Sequence, residues 1–388
     1  MTLQDKFQLR IPGPTPIPPR IMQAMNQPMI GHRSPECSHL LQTCSQGLKP
    51  IFGTKEDILI LTGSGTSALE AAVTSIVAPN EEVAVVVAGA FGDRFATICE
   101  KFGMDTHRLA IPWGEAYSPE DMRRFLQQHP KIKAVFLTYC ETSTGVLHPI
   151  ADLAKAIRET SDALIIVDGV SIIGAIDCQM DEWGIDILVT GSQKALMLPP
   201  GLAFVAVSEK AWKVIEQNQT PRYYLDLLSY RESLKNETTP ATPAVSLLFG
   251  LEEALAMIEE EGWTKVISRH QLMKEMVRNG LKQMGLSLLA ADPYASPTVT
   301  AVCGGEKWEV KELRRELKKL GLIVAGGQQH LKEKIFRIGH MGYCDPLDIL
   351  ATLATIEVAF LRLGIPIQHG AGVMAAQEVW AHEKNIDH

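Results

Sequence analysis

The sequence of 388 residues has no C-x-x-C pair and only seven cysteines, Cys37, Cys44, Cys99, Cys140, Cys178, Cys303 and Cys344. An odd, scattered set argues against a disulfide framework and a thiolate zinc motif, and predicts reduced thiols serving as small core residues. No metal site is expected. There is no run of about 18 uninterrupted apolar residues, so no transmembrane helix is expected. No cluster of Lys or Arg is long enough to make a nucleic-acid or membrane footprint, and the net charge is 37 − 45 = −8. Met1–Arg10 mixes charged and polar residues, unlike a secretory signal. Asn385-Ile386-Asp387-His388 is no peroxisomal or retention address. The expected location is the cytoplasm. Internal repeats and low-complexity tracts are absent as well.

What is present is ordinary globular material, 46% hydrophobic and 21% charged. At roughly 150 residues per domain the length suggests two domains. Pro12-Gly13-Pro14-Thr15-Pro16 and Pro18-Pro19 predict an extended arm, because proline fixes φ and removes donors. A helix is predicted over 20–25, then a loop over 29–35. From residue 58, short β-branched apolar runs (58–62, 83–88, 134–138, 164–168, 187–190 and 203–207) alternate with helical patterns (66–77, 94–102, 119–128 and 150–159). Continuous apolar runs suit strands buried on both faces, and the alternation predicts an α/β domain with a mostly parallel sheet. Ligands of such sheets bind at the carboxyl ends of the strands. Long helices are predicted over 244–261 and 265–284. A smaller α+β unit follows, with strands over 296–302 and 334–338 and helices over 307–320, 346–363 and 373–383. The expected division is an arm at 1–20, a large domain at 21–264 and a small domain at 265–388.

Four motifs carry chemistry. Thr62-Gly63-Ser64-Gly65-Thr66-Ser67-Ala68 follows a strand and opens a helix, where free N–H groups bind phosphate. It also fits the dinucleotide pattern G-x-G-x-x-A. That reading needs an acid closing the second strand, whereas Glu81 and Glu82 precede that strand and Gly89-Ala90 end it. Asp168 closes the run Leu164-Ile165-Ile166-Val167. Lys194 follows the strand 187–190 by a short polar turn, in an otherwise uncharged stretch. Arg337 stands inside the apolar Phe336-Arg337-Ile338-Gly339, where a buried guanidinium needs an anion. A phosphate cradle, a strand-end aspartate and a lysine 26 residues further on suit pyridoxal phosphate. The lysine forms the Schiff base, the aspartate keeps the pyridine nitrogen protonated, and the helix N-terminus holds the phosphate.

The sequence closely resembles the class V, fold-type I aminotransferases of the alanine–glyoxylate and serine–pyruvate branch. The resemblance rests on Pro12-Gly13-Pro14-Thr15, Met29-Ile30-Gly31-His32, the Gly63-Ser64-Gly65 cradle, Glu141-Thr142-Ser143-Thr144-Gly145-Val146-Leu147, Val167-Asp168, Gly191-Ser192-Gln193-Lys194-Ala195-Leu196 and Arg337-Ile338-Gly339. It implies a large domain with a mostly parallel sheet, a smaller C-terminal α+β domain, and a homodimer with active sites at the interface. Lys194 and Asp168 would be catalytic. Ser64, Gly65, Thr66 and Gln193 would hold the phosphate, joined by Thr242 from the other subunit. Phe91, Thr142 and Val170 would line the cofactor ring. Arg337 would bind the substrate carboxylate, with Gly31, Thr142 and the Pro12–Thr15 arm bordering the substrate pocket.

The implied reaction moves an amino group from alanine or serine to glyoxylate or another small 2-oxo acid, in ping-pong fashion through a pyridoxamine form. Ureidoglycine or 2-aminoethylphosphonate are alternative amines. A cysteine desulfurase would usually place a histidine where Gln193 stands, and its only cysteine near the clamp would be Cys344. A catalytically silent subunit is a further alternative. Two positions depart from the family pattern. Phe91 stands where animal relatives often have Trp, which keeps a smaller stacking face. Thr239 replaces a tyrosine, so one phosphate hydrogen bond is lost or rearranged.

Overall fold

The computed structural model describes residues 7–383. Met1–Lys6 and Lys384–His388 lie outside the described residues. The expectations for the last four residues, and for most of Met1–Arg10, fall there.

The β-branched runs form a seven-stranded sheet. Its spatial order is Leu59–Gly63, Gly201–Val207, Ile187–Gly191, Leu164–Asp168, Ala134–Thr138, Glu82–Val87 and Asp105–Ala110. Only Gly201–Val207 runs against the others; it is antiparallel to both of its neighbours. The central strands are buried along their whole length, as the absence of polar alternation predicts. Apolar side chains cover both faces. One cluster includes Leu41, Leu48, Met122, Ile165 and Leu188; the other includes Leu69, Val73, Phe95, Phe136 and Val189. Burial on both sides fixes the strand register, and with it the positions of the loops that leave the carboxyl ends.

A four-stranded sheet is built from Val299–Cys303, Ile335–Gly339, Leu322–Gly326 and the N-terminal strand Gln8–Arg10. A third apolar cluster, with Met273, Leu313, Phe336, Leu353 and Phe360, packs beside it. The arm therefore does more than extend: Gln8–Arg10 pairs in parallel with Leu322–Gly326. The arm then continues past the strand ends of the larger sheet. Helix Ala371–Ala381 packs on helices Trp263–Gln283 and Pro346–Arg362. Its start is held by the buried carboxylate of Glu357, which accepts the N–H groups of Gly370 and Gly372 at 2.8 and 2.9 Å.

Several elements have no run that announces them. Helix Pro35–Phe52 contains Gly47 and Pro50, yet Ser34 caps it, Pro35 occupies its first turn, and Leu40, Leu41, Cys44 and Leu48 are buried. Strand Asp105–Ala110 is the sheet edge and is half exposed, so its residues are polar. Among the described residues, no helix is long and apolar enough to cross a membrane.

Candidate functional site

Six parallel strands end on one edge of the larger sheet, and five of the loops that leave them build a single pocket. Its walls include Ser64, Gly65, Thr66, Phe91, Thr142, Asp168, Val170, Gln193 and Lys194. These nine residues, separated by up to 130 positions in the chain, are all among those named by sequence reasoning.

Lys194 is 8% exposed. Burial pushes its amine down to about 8; nearby Cys140 and Asp168 pull the other way, and Arg337 and Arg94 add to the depression. Its Nζ donates to the carbonyl of Pro12 in the arm. The Thr15 hydroxyl donates to the Lys194 carbonyl at 3.1 Å. Gly13 lies against the lysine stem with φ +98°; a Cβ there would stand 2.6 Å from Lys194 Cδ. Glycine is required for both the left-handed backbone and this close approach. A buried amine that gives up its proton more readily than an exposed one becomes a nucleophile toward a carbonyl carbon and can carry a proton.

Asp168 ends its strand at the pocket. Burial raises its carboxyl to about 6, opposed by the Val170 N–H, which donates to Oδ1 at 2.9 Å. A buried carboxylate with that cost is suited to a cationic partner. Helix Gly65–Ile76 starts at the same edge. Ser64 is its N-cap, and the Ser64 side chain makes no capping bond. The first-turn N–H groups of Gly65 and Thr66 have no helical acceptor, which makes an anion cradle. At Gly65 a Cβ would come within 2.8 Å of Val170 Cγ2, so the backbone approach depends on glycine. Gln193 adds a buried side-chain oxygen with no hydrogen-bond partner among the described residues. Anion cradle, strand-end acid and near-neutral amine fit a cofactor carrying a phosphate, a basic ring nitrogen and a carbonyl.

Arg337 is 7% exposed and borders this pocket through Thr142. It donates to the Thr142 carbonyl and to the Gly326 carbonyl, both at 2.9 Å. Burial lowers it to about 10. Among the described residues no carboxylate forms an ion pair with it. A buried guanidinium held by two carbonyls keeps donors available for a carboxylate ligand.

Residues 9–344 match the family described as aminotransferase class-V. The chain belongs to the class-V aminotransferases. A Synechococcus protein named the small subunit of a soluble hydrogenase is 41% identical, over 97% of this chain and 99% of the relative. The L-aspartate–glyoxylate aminotransferase of Paracoccus denitrificans is 36% identical, over 95% and 94%. The solved ureidoglycine–glyoxylate aminotransferase of Bacillus subtilis superimposes with a TM-score of 0.91 at 31% identity, covering 98% of this chain and 100% of that one. Neighbours of this kind give the present aminotransferase a fold-type I architecture.

Two expected site residues lie elsewhere in this class-V aminotransferase. Gly31 and Thr242 sit together in a second cleft, with Ile30, His32 and Leu247, and do not line the Lys194 pocket of their own chain. Thr239 is buried, and its hydroxyl donates to the Ala241 carbonyl within its own loop, at 2.7 Å. Four residues that the sequence left without a site role also line the pocket: Leu69, Arg94, Cys140 and Ser171. Arg94 stacks its guanidinium over the Phe91 ring at 4.9 Å, one helical turn on, and that spacing was its only signal. The Ser171 hydroxyl lies 2.5 Å from the Thr142 hydroxyl. Glu141 was visible only as part of a motif. Fully buried, it accepts N–H groups from Phe91, Gly92 and Ser143.

Proposed function

We propose that this aminotransferase uses pyridoxal phosphate to move an amino group from alanine or serine to glyoxylate or another small 2-oxo acid. The observation that carries the reading is the shared pocket of Lys194, Asp168 and the N-terminus of helix Gly65–Ile76. The glyoxylate-using relatives support the acceptor. The aspartate-named and ureidoglycine-named ones keep the donor class broader than alanine and serine.

When bound, pyridoxal phosphate supplies an electron sink that amino acid side chains lack. The protein supplies the rest. Ser64, Gly65, Thr66 and Gln193 hold the phosphate. Asp168 keeps a proton on the ring nitrogen. Phe91 and Val170 cover the ring and exclude water, while Thr142 and its partner Ser171 border it. Lys194 Nζ anchors the cofactor and moves the proton at the substrate Cα. Arg337 orients the substrate carboxylate through a two-pronged contact that a lysine cannot copy.

The functional unit in this reading is a cytoplasmic homodimer. Gly31 and Thr242 serve the partner's pocket, which accounts for their lying away from their own chain's Lys194. The division into an arm at 1–20, a large domain at 21–264 and a small domain at 265–388 is supported by the separate apolar cluster that begins at Leu272. A cysteine desulfurase is disfavoured by Cys344, which is buried, with its thiol pushed up to about 12. The hydrogenase-named relative raises a second reading, a silent subunit of an assembly. The test is amino transfer by the purified, cofactor-loaded protein with alanine, serine, aspartate and ureidoglycine as donors to glyoxylate. Glycine formation from alanine or serine supports the proposal. No transfer from any donor leaves the silent subunit in its place.

A further inference from the structure

At the opposite edge of the large sheet, three side chains with metal-binding chemistry converge. Glu82 is the first residue of its strand, and His107 is the third residue of the neighbouring edge strand. The parallel register pairs Glu82 with Asp105 and Ala84 with His107, so Glu82 and His107 emerge on the same face. Helix Pro119–Gln128 covers that face, and its C-cap residue is His129. The three side chains offer ligand atoms that all lie within 4.8 Å of one another, and each residue is half buried.

We propose that Glu82, His107 and His129 form a binding site for one divalent transition-metal cation of the zinc type. Two imidazoles and one carboxylate are a ligand set that zinc takes with a fourth position open to water. Glu82 Oε2 stands 3.3 Å from His107 Nε2. Two donors each about 2.0–2.1 Å from a tetrahedral ion stand roughly 3.3 Å apart, so this pair already has the required edge length. His129 offers its own ring nitrogen within 4.8 Å of both.

The rings are supported from behind. Phe125 stacks on His129 with centroids 4.3 Å apart, and meets His107 edge-on at 5.8 Å. Packing of this kind restricts ring orientation, as outer-shell partners do in metal sites. The carbonyl end of helix Pro119–Gln128 adds partial negative charge where the cation would sit. The ligands are 25 and 22 residues apart in sequence, so no short motif announces the site. A bound ion would tie the exposed edge strand to the helix that covers it. The site is remote from the strand ends that carry Lys194, so it is structural with respect to amino transfer.

The test is titration of the cofactor-loaded protein with Co²⁺ as a spectroscopic probe, followed by displacement with Zn²⁺. The expected result is one Co²⁺ per chain with the visible d–d bands of a low-symmetry site, and loss of those bands on adding Zn²⁺. Zinc should also raise the melting temperature of the unaltered protein. His129→Ala, at the C-cap of its helix, should weaken binding at least a hundredfold and abolish the melting shift. His107→Ala should do the same, with amino transfer unchanged in both. The proposal is overturned if no Co²⁺ bands form, or if both variants bind Co²⁺ with the stoichiometry and affinity of the unaltered protein.

Discussion

The carboxylate of Glu141 accepts the backbone N–H of Phe91 at 3.2 Å and that of Gly92 at 3.0 Å. It thereby fixes the first turn of helix Ala90–Lys101 across the mouth of the pocket. Ser143 completes the clamp, donating its N–H to Glu141 and accepting that of Ala90 at 3.0 Å. The aromatic ring that would cover the cofactor is thus aimed by a buried acid 50 residues away in the chain.

Glu141→Gln should reveal this positioning. The amide keeps the shape but presents an NH₂ group to backbone donors. We expect a loss of about 1–3 kcal/mol of stability and weaker retention of pyridoxal phosphate. Phe91→Trp, which leaves the clamp intact, should retain the cofactor. Denaturant unfolding and dialysis against buffer without cofactor read both effects. Unaltered retention in Glu141→Gln would remove the acid from this role.

Lys194 should be held in the cofactor-free fold at a cost in stability. Its amine sits at about 8, against about 10.4 when exposed. Below pH 8 both states are protonated, and the folded state bears the full burial cost. As pH rises from about 8 to about 10.4 the unfolded chain binds the extra proton, so stability climbs through that window. Lys194→Met should therefore stabilise the cofactor-free protein by about 1–3 kcal/mol at pH 7. The gain should shrink above pH 8, and amino transfer should be lost. Urea unfolding at several pH values tests it; a variant less stable than the parent at pH 7 contradicts the burial argument.

Asp168 has the opposite charge and the opposite sign. Its carboxyl is raised to about 6 in the fold, so the folded state holds the extra proton between about pH 4 and 6, and stability falls as pH rises through that window. A cationic ring nitrogen should relieve this. The stabilisation supplied by pyridoxal phosphate should grow from about pH 5 to about pH 7. In Asp168→Asn that growth should vanish and the cofactor should be held more weakly. Melting temperatures of loaded and cofactor-free protein across the range decide it.

Arg337→Lys keeps the charge but cannot hold two carbonyls and a carboxylate together. We expect kcat/KM for carboxylate-bearing donors to fall about 10- to 100-fold, mostly through KM. Cofactor absorbance should be unchanged. Unchanged kinetics would place the substrate carboxylate elsewhere.

Much of this site was legible because two of its residues terminate or follow uninterrupted β-branched strands. Leu164–Asp168 has the predicted bounds, and Lys194 follows Ile187–Gly191 as its spacing requires. A parallel sheet turns that local pattern into a shared edge, so residues far apart in sequence could be grouped before their contacts were known. What escaped was information that only the tertiary fold supplies. Gln8–Arg10 has too few residues to declare itself a strand, and its partner is 314 positions away. The edge strand Asp105–Ala110 is polar because one side meets water. Glu141 resembles any acid in a loop until the N–H groups of Phe91 and Gly92 are seen to converge on it. Gly31 and Thr242 were identified by family likeness alone, and a single chain does not bring them to Lys194.

The most direct test of the central claim is chemical. The purified protein, loaded with pyridoxal phosphate, is treated with borohydride, digested, and its peptides are weighed. Reduction fixes the cofactor to whichever amine holds it. The account predicts the added mass on the peptide containing Lys194, and its disappearance in Lys194→Met. Label on another lysine, or none on any peptide, would contradict it.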